Sequence, residues 1–447
     1  MILLANGIFP KKRSKNKLRE DTDKVMKKRI SLVIGLVFTA GLLGCHGAPL
    51  IIIENIPKTE KQQSAGPDYS RPLPAGELAL KKITDPAEIP DFTEACKDLS
   101  GLKEAIRYSL HYLAKPTSRS FFPYGDISHQ HASDSLAAFL KLLDTGYTAK
   151  ELNTMIRDQF DVYTSVGYDG RGAVLFTGYY TPTFHGSTQK TDRFRYPLYG
   201  QPDDLVKDPD GTTLGRKVGD DIVPYPAREE IERSGMLHGN EIMWLSDPFE
   251  VYTVQVQGSA KIRLPDGTLT GVGYTANNGH DYRSFAATMI RDGLIPREKM
   301  SLAAMIDYFK KHPDKVSGYT NMNPRFVFFR IEGGPPRGSI NEPVTPLRSI
   351  ATDKSIYPRA CLTFLATALP KVGGQEITHT PYSGFALDQD AGGAIRAPGR
   401  CDIYIGEGDT AGKLAGQTHR EGRLYYLFLK EPRGTREEPV KIMEETD

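Results

Sequence analysis

Between residues 95 and 165 the chain carries three stripes of apolar side chains spaced three or four residues apart. This spacing places them on one helical face, so each stripe predicts a short amphipathic helix packed on the core. Thr148 and Glu151 form a capping-box pair that marks the start of the third helix. The three stripes are Leu102, Ile106, Leu110 and Leu113; Leu136, Phe139, Leu140 and Leu143; and Leu152, Met155, Ile156 and Phe160.

From about residue 172 the pattern changes to short β-rich runs separated by Gly and Pro. Residues 173–180 form one such run, and residues 249–257 alternate between apolar and polar side chains, which predicts a second strand. One helix, with Ser301 as its N-cap, is predicted to interrupt the strands. Many short strands with Gly and Pro between them favour barrels over a doubly wound sheet. Further strands are predicted at residues 325–330 and 424–429.

The N-terminal region has the pattern of a secretory signal. A basic cluster, Lys27-Lys28-Arg29, precedes an apolar run from Ile30 to Leu43, which is followed by Gly and Cys45. The run is shorter than the roughly 20 apolar residues of an ordinary spanning helix, although an uncleaved anchor stays an alternative. Met26 stands directly before the basic cluster, so we predict that translation starts there and not at Met1.

Besides Cys45 the chain has three cysteines, Cys96, Cys361 and Cys401. Export makes a disulfide chemically possible, so one bridge with a free thiol and three buried free thiols are both open. Their spacing matches no zinc pattern. The proline-containing residues 46–94 between the signal and the first helix are predicted to be a flexible tether.

Charge composition narrows the class of partner. The chain has 57 basic and 55 acidic residues, a formal charge of +2, which gives no broad electrostatic footprint for nucleic acid. A neutral or mixed polymer is the better expectation. His129, His131 and His280 have no third acidic or His partner at ligand spacing, so no metal site is predicted.

Candidate chemistry is concentrated in a polar, glycine-rich stretch between residues 388 and 406. Asp390 and Asp402 lie there at or near strand ends, beside glycines that let a ligand approach the backbone. Asp402 is flanked by Cys401, Ile403 and Tyr404, and burial in such a setting raises the pKa of a general acid. Asp390, beside Ala-Gly-Gly, equally suits a turn cap.

The stretch from Asp390 to Leu427 resembles the 3D segment of the membrane-bound lytic murein transglycosylase A family. Further blocks resemble motifs of that family and occur in its order, so the resemblance covers roughly residues 95 to 430. Two departures concern loops: Tyr357-Pro-Arg-Ala-Cys361 replaces a Pro-Leu-Gly turn, and Ala260 replaces a glycine. The further blocks are Thr177–Pro182, Tyr196–Tyr199, Gln255–Ser259, Tyr274–Tyr282, Asn323–Phe329 and Thr345–Asp353.

The resemblance implies a mainly β fold with short helices, in which a double-psi β-barrel is interrupted by an inserted second β-barrel. A glycan would lie in the groove between the two barrels. The implied bounds are 95–183 and 331–432 for the catalytic barrel and 184–330 for the insert. A signal peptide (1–45) and a linker (46–94) would precede them, and a charged tail (433–447) would follow.

The signal also carries a resemblance. Leu42-Leu43-Gly44-Cys45 is similar to the bacterial lipobox, which would make Cys45 the lipidated first residue of the mature protein. His46 follows in place of Asp, and in enterobacterial lipoproteins this implies sorting to the outer membrane. The expected location is therefore the periplasmic face of that membrane, with peptidoglycan glycan strands as the binding partner. No particular protein partner is predicted from the sequence.

The resemblance to the membrane-bound lytic murein transglycosylase A family also implies site residues. Asp402 is the expected catalytic residue of a lytic transglycosylase, and Asp390 is its supporting carboxylate. Such an enzyme cleaves the β-1,4 bond between N-acetylmuramic acid and N-acetylglucosamine without water and leaves 1,6-anhydromuramoyl ends. It requires no metal or cofactor. The residues expected to line the substrate groove are Tyr179, Thr181, Gln257, Ser259, Tyr274, Gly392 and Gly393.

Three other functions stay open at this point. A muramidase would hydrolyse the same bond with two carboxylates, Asp390 being the second. An aspartic protease fits less well, because Asp390-Ala-Gly supplies only half of the paired motif. A lipoprotein that merely binds peptidoglycan would need no catalytic Asp402.

Overall fold

The computed structural model describes residues 66–431, except 209, 210, 374 and 375. The predicted signal, Cys45 and the charged tail lie outside the described residues. The strands are β1 (Leu80–Lys82), β2 (Phe160–Ser165), β3 (Val174–Thr181), β4 (Thr183–Ser187), β5 (Tyr196–Tyr199), β6 (Leu205–Lys207), β7 (Thr213–Val218), β8 (Asp221–Val223), β9 (Glu241–Leu245), β10 (Ser259–Arg263), β11 (Leu269–Asn277), β12 (Val327–Glu332), β13 (Ser349–Ala351), β14 (Leu362–Gly373), β15 (Glu376–Asp390), β16 (Arg400–Glu407) and β17 (His419–Leu429). The helices are α1 (Leu102–Leu113), α2 (His129–Leu142), α3 (Ala149–Gln159), α4 (Arg228–Ser234), α5 (Pro248–Gln257), α6 (Ala286–Arg291), α7 (Leu302–Lys311), α8 (Val316–Thr320) and α9 (Gly408–Gln417).

Six strands form a closed barrel. They pair in the order β3, β17, β14, β15, β13 and β16, and β16 pairs with β3 to complete the ring. Five of these strands follow residue 348, whereas β3 comes from the first half of the chain, so two distant segments build one barrel. β2 and then β1 extend the sheet outward from β17. The predicted mainly β fold with short helices is confirmed.

A second sheet is built by the chain between the two barrel segments. Its strands lie in the order β12, β11, β10, β4, β9 and β5, and a bridge between Gly200 and Phe329 joins the two edge strands. β6, β7 and β8 form a separate three-stranded sheet. The connection from β3 to β4 is Pro182 alone, so the first barrel passes into this second sheet almost without a loop.

The three helices predicted from the apolar stripes are confirmed as α1, α2 and α3. Leu102, Ile106, Leu136, Phe139 and Ile156 are almost fully buried in the core that these helices share with the closed barrel. The predicted capping box is also confirmed at the start of α3. The Thr148 backbone N–H donates to Glu151 Oε2 at 2.9 Å, and the Glu151 N–H donates to Thr148 Oγ1 at 3.3 Å. The predicted N-cap Ser301 begins α7.

The prediction of a strand at residues 249–257 is wrong, because this segment forms helix α5. Asp247 caps it by accepting the N–H groups of Phe249 and Glu250, at 2.7 and 3.1 Å, and Pro248 occupies its first turn. An N-cap Asp followed by Pro strongly favours a helix start. The apparent alternation came from Tyr252, Val254 and Val256, of which the first two are buried in the helix and Val256 is exposed. Gly258 ends the helix with a φ of 79°.

Cys96, Cys361 and Cys401 are buried free thiols, so the alternative without a disulfide is the one observed. Within the described part of the chain, no helix is long and apolar enough to cross a membrane.

A buried ion pair lies in the core of the closed barrel. Lys354 Nζ donates to Asp388 Oδ1, and the hydroxyls of Thr352 and Tyr426 each donate to Asp388 Oδ2 at 2.7 Å. Asp388 is fully buried, and the Lys354 side chain is 6% exposed. Burial lowers the pKa of Lys354, while the nearby Asp388 acts in the opposite direction. Each charge therefore depends on the other for compensation.

Lys354→Met should lower the free energy of unfolding by about 3–5 kcal/mol, because it leaves the Asp388 carboxylate buried without its cation. The double variant Lys354→Met/Asp388→Asn should recover most of this loss, because it removes both charges together. Urea unfolding of the two variants and of Asp388→Asn measures the coupling. A loss in the double variant equal to the sum of the two single losses would show that the charges are not coupled.

Candidate active site

The two candidate carboxylates flank the same residue of the closed barrel. Ala351, at the end of β13, pairs with Asp390 of β15 on one side and with Asp402 of β16 on the other. Two strand spacings separate the acidic residues, so their Cα atoms lie about 10 Å apart. Strands β13, β15 and β16 thus bring both carboxyl groups to one end of the sheet.

Asp402 points away from the barrel core into a groove. Its neighbours Cys401 and Ile403 are fully buried in the core, and side chains alternate along a strand. Thr177 pairs with Asp402 across β3 and β16, and its Oγ1 donates to Asp402 Oδ1 at 2.8 Å. Asp402 Oδ2 has no hydrogen-bond partner among the described residues.

The environment of Asp402 favours its protonated form. Burial raises the pKa of this carboxyl from its ordinary value of 3.8 to about 6. The Thr177 hydrogen bond and the positive charge of Arg400 act in the opposite direction, and the negative charge of Asp390 adds to the increase. A carboxyl that titrates near pH 6 can both donate and accept a proton near neutral pH.

Asp390 is held by three donors. The backbone N–H groups of Ser339 and Ala391 donate to Oδ1, and the Tyr179 hydroxyl donates to Oδ2, all at 2.8 Å. Burial raises the pKa of Asp390, although these hydrogen bonds oppose the shift. The bond from Ala391 comes from the adjacent residue and not from the residue two positions on, as an Asx turn cap requires. Asp390 therefore anchors the start of the loop after β15 and also borders the groove.

The groove contains a cavity of about 180 Å³ with walls from both sheets. The closed barrel contributes Asp390, Asp402 and the loop after β15. The second sheet contributes the end of α5, Tyr274 of β11 and the segment before β12. Gln257 Oε1 accepts the backbone N–H of Tyr180 at 3.1 Å, which fastens the end of α5 to β3 at the base of the groove.

Most of the residues predicted to line the groove do so. Tyr179, Gln257, Tyr274, Gly392 and Gly393 border the same cavity as Asp390 and Asp402. Their roles in binding stay predictions.

Thr181 and Ser259 depart from that expectation, because they do not border the cavity that contains Asp402. They are buried at the junction of the two sheets. Thr181 Oγ1 lies 3.3 Å from Ser259 Oγ and 3.0 Å from the Tyr404 hydroxyl. Both residues line a smaller cavity at this junction. Their position fits support of the groove better than contact with a ligand.

The cavity also includes residues that the sequence prediction did not select. All of them except Arg228 lie in a block that carried the family resemblance, but nothing in a single sequence distinguishes them from their neighbours. Thr177 is identified only by its hydrogen bond to Asp402. The unselected polar residues that line the cavity are Arg228, Gln255, Tyr282, Asn323 and Arg325.

The histidines considered as metal ligands bond to other groups. His129 Nε2 lies 2.8 Å from Ser118 Oγ, His131 Nε2 2.6 Å from the Leu429 carbonyl, and His280 Nε2 2.8 Å from the Tyr225 carbonyl. Among the described residues, no group of three or more His, Cys, Asp and Glu side chains is placed to hold a metal ion.

A carboxyl with a raised pKa at the floor of a polar groove is the arrangement of an enzyme that works by general acid–base catalysis. Residues 175–330 match the family "MltA specific insert domain", and residues 348–428 match the family "3D domain". Membrane-bound lytic murein transglycosylase A of Escherichia coli is 30% identical over 271 residues, which cover 60% of this chain and 69% of that protein. The chain belongs to the membrane-bound lytic murein transglycosylase A family.

Solved structures agree with this assignment. The crystal structure of E. coli MltA with bound chitohexaose has 25% identity and a TM-score of 0.59, covering 83% of this chain and 98% of that one. A membrane-bound lytic murein transglycosylase from Agrobacterium tumefaciens shares the fold, with 24% identity, a TM-score of 0.65, and coverage of 79% and 98%.

Asp402→Asn should make the protein more stable above pH 6. In the folded state Asp402 keeps its proton up to about pH 6, whereas in the unfolded chain it loses it near pH 3.8. Folding stability from this group is therefore full below pH 3.8 and is lost as the pH rises to about 6. This loss of folding free energy amounts to at most about 3 kcal/mol. The amide side chain of the variant does not ionise, so the variant does not incur the loss.

Urea unfolding of the wild type and Asp402→Asn at pH 4 and pH 8 measures this difference. The gain of the variant should appear at pH 8 and shrink at pH 4. Asp314→Asn, which removes an exposed carboxylate elsewhere, serves as the control and should show no such gain. A gain that is equal at both pH values would contradict a raised pKa.

Proposed function

We propose that this protein is a lytic transglycosylase of peptidoglycan. It cleaves the β-1,4 bond between N-acetylmuramic acid and N-acetylglucosamine and leaves 1,6-anhydromuramoyl ends. The observation that carries the proposal is the state of Asp402. One carboxyl oxygen is fixed by Thr177, the other has no partner among the described residues, and the pKa is raised to about 6.

One carboxyl group is sufficient for this reaction. Protonated Asp402 donates its proton to the glycosidic oxygen, and the bond from that oxygen to C1 of the muramoyl unit breaks. The C6 hydroxyl of the same sugar forms the new bond to C1, and its proton passes to the Asp402 carboxylate. The enzyme is then protonated again and no water is consumed. Because the attack is intramolecular, effective molarities of about 10⁵ to 10⁸ M are available to a well-oriented sugar.

Asp390 acts in this proposal as a supporting carboxylate. Both of its oxygens already accept hydrogen bonds, from Ser339, Ala391 and Tyr179. A nucleophile or a base that activates water needs a free oxygen directed at the sugar, so these bonds disfavour a two-carboxylate muramidase. The negative charge of Asp390 helps to keep the pKa of Asp402 high.

A glycan strand is the proposed ligand of the groove. The bound chitohexaose in the E. coli relative supports a polymer of N-acetylated sugars. Gln257, Tyr179 and the exposed ring of Tyr274 supply polar groups and a stacking surface, which suits a sugar chain. We further propose that residues 95–183 and 331–432 form the catalytic barrel and residues 184–330 the insert.

Membrane attachment is proposed through Cys45. The sequence before Cys45 resembles a lipobox, and the E. coli relative is named as membrane-bound, which supports a lipid anchor. We propose that the protein lies at the periplasmic face of the outer membrane. The predicted tether 46–94 extends too far, because β1 pairs with β2 and Phe92 is buried in the core. The proposed tether is therefore limited to the residues before 66.

Asp402→Asn and Asp402→Ala should lower the rate of anhydromuropeptide release by about 10²- to 10⁴-fold, because neither side chain can donate the proton. Binding of glycan strands should persist. Mass spectrometry of sacculi digested in oxygen-18 water measures both the anhydro ends and any solvent oxygen. Asp314→Asn serves as a matched control with full activity.

The same experiment separates the alternatives. Reducing ends that contain oxygen-18 would identify a hydrolytic muramidase. Undiminished anhydro product from Asp402→Ala would exclude this residue as the acid, and no product from the wild type would indicate a protein that only binds peptidoglycan.

Cys45→Ser should release the protein from the membrane fraction and abolish its labelling by palmitate, since the thiol is the proposed acylation site. His46→Asp should keep the label but move the protein to the inner membrane. Fractionation of cells that express each variant measures both effects. A Cys45→Ser protein that stays in the membrane would contradict the lipid anchor.

A further inference from the structure

The wall of the groove that faces the two acids contains two arginines. Arg228 and Arg325 border the same cavity as Asp390 and Asp402. Neutral sugars offer a guanidinium only hydroxyl and amide groups. The presence of two cations therefore raises the question of whether either one is free to bind a negatively charged part of the substrate.

Every guanidinium nitrogen of Arg228 donates a hydrogen bond within the protein. It is 2% exposed, and its guanidinium lies over the rings of Tyr252 and Phe326, at 5.0 and 5.2 Å from their centroids. Nε donates to the Asn323 carbonyl at 3.1 Å, Nη1 to Glu232 at 3.2 Å, and Nη2 to Gln255 and to the Arg325 carbonyl. These contacts make Arg228 a support for the backbone before β12.

Arg325 is different, because its backbone is fixed while most of its guanidinium is not. Its N–H donates to Asn323 Oδ1 at 3.2 Å, and its carbonyl accepts from Arg228 at 2.6 Å. A guanidinium has five N–H donors. Within the described ranges of the chain, that of Arg325 makes one hydrogen bond, from Nη1 to the His280 carbonyl at 3.0 Å. No described carboxylate forms an ion pair with Arg325.

The charge of Arg325 is only partly compensated by its surroundings. Burial lowers the pKa of its guanidinium, and the positive charge of Arg396 acts in the same direction, while Tyr274 and the Asp281 carboxylate act in the opposite direction without forming an ion pair with it. The side chain lies against the loop that follows Asp390. A Cβ added to Gly393 would lie 3.2 Å from Arg325 Nε, so the glycine leaves space for the guanidinium against this loop. A partly buried cation without a carboxylate partner is costly, unless a ligand supplies the anion.

The chemistry of the proposed substrate supplies such a group. The two sugars of a peptidoglycan strand differ in the lactyl group on O3 of the muramoyl unit. This group ends in a carboxylate when no stem peptide is attached, and it carries the carboxylates of the stem peptide when one is. A guanidinium matches the two oxygens of a carboxylate with paired hydrogen bonds.

We propose that Arg325 is a specificity-determining residue of the groove, which binds a carboxylate carried on O3 of the muramoyl unit. The proposal rests on the proposed function. It explains why a cation faces the acids across a groove for sugars, and why glycines follow Asp390. Arg325 thereby selects strands that contain N-acetylmuramic acid over polymers of N-acetylglucosamine alone.

The test measures binding in the Asp402→Asn background, so that it does not depend on turnover. The probes are stem-free murein oligomers, oligomers that carry stem peptides, and chitohexaose. Arg325→Gln should weaken the binding of at least one muramoyl probe by about 10- to 100-fold, as expected for lost charged hydrogen bonds. The binding of chitohexaose should change less than about two-fold, because it has no carboxylate.

The pattern among the probes identifies the group that is bound. A loss confined to stem-free oligomers identifies the lactyl carboxylate, and a loss confined to stem-bearing oligomers identifies the stem. Arg396→Gln removes a neighbouring exposed cation as a matched control and should leave all three affinities nearly unchanged. Arg325→Lys retains the charge without the paired geometry and should give an intermediate loss.

Two results would overturn the proposal. One is unchanged binding of both muramoyl probes to Arg325→Gln, and the other is an equal loss for chitohexaose, which would make Arg325 a general support of the groove. Circular dichroism and thermal unfolding show whether the variant is folded. Absence of anhydro product from the wild type would refute the proposed function but would leave these binding differences intact.

Discussion

Partial burial of the Asp402 carboxyl is the constraint on which the rest of the site depends. Raising its pKa from 3.8 to about 6 corresponds to about 3 kcal/mol that the fold must supply. The closed barrel supplies it by fixing the backbone on both sides, since Asp402 pairs with Ala351 of β13 and with Thr177 of β3. The hydrogen bond from Thr177 limits the shift, and so keeps the acid able to give up its proton.

The groove exists because the two sheets are joined rigidly at its base. Pro182 alone separates β3 from β4, and Gln257 bonds to the Tyr180 backbone beside this junction. Thr181 and Ser259 are buried in the same place and bond to each other, and Thr181 also bonds to Tyr404. Their polar side chains satisfy one another where the sheets meet. This explains why a block that resembles the family's groove motifs contains residues that do not border the cavity.

The sequence predicted those parts of the structure that depend on local pattern. The three N-terminal helices have one apolar face each, and their burial follows from spacing alone. The segment that forms α5 was wrongly predicted to be a strand, because its β-branched residues imitate strand alternation. Asp247 and Pro248 are the residues that indicate a helix start there. The direction of the pKa shift of Asp402 was predicted correctly. The prediction attributed the burial of the carboxyl to the residues that flank it in sequence, which is only partly right. Cys401 and Ile403 face the barrel core, and the groove walls that bury the carboxyl come from residues far away in sequence. A single sequence does not show which distant residues come together with Asp402 in the groove.

The distribution of charge across the groove follows from the same constraint. A cation in contact with Asp402 would favour the carboxylate, lower the pKa and remove the proton that the reaction needs. The cation that does lower this pKa is Arg400, whose effect is smaller than that of burial. Arg325 borders the same cavity but is not one of the principal causes of the pKa shift of Asp402. Recognition of an anionic substrate and storage of a proton make opposite electrostatic demands. Placing the guanidinium on one wall and the acid on the other lets a single groove satisfy both.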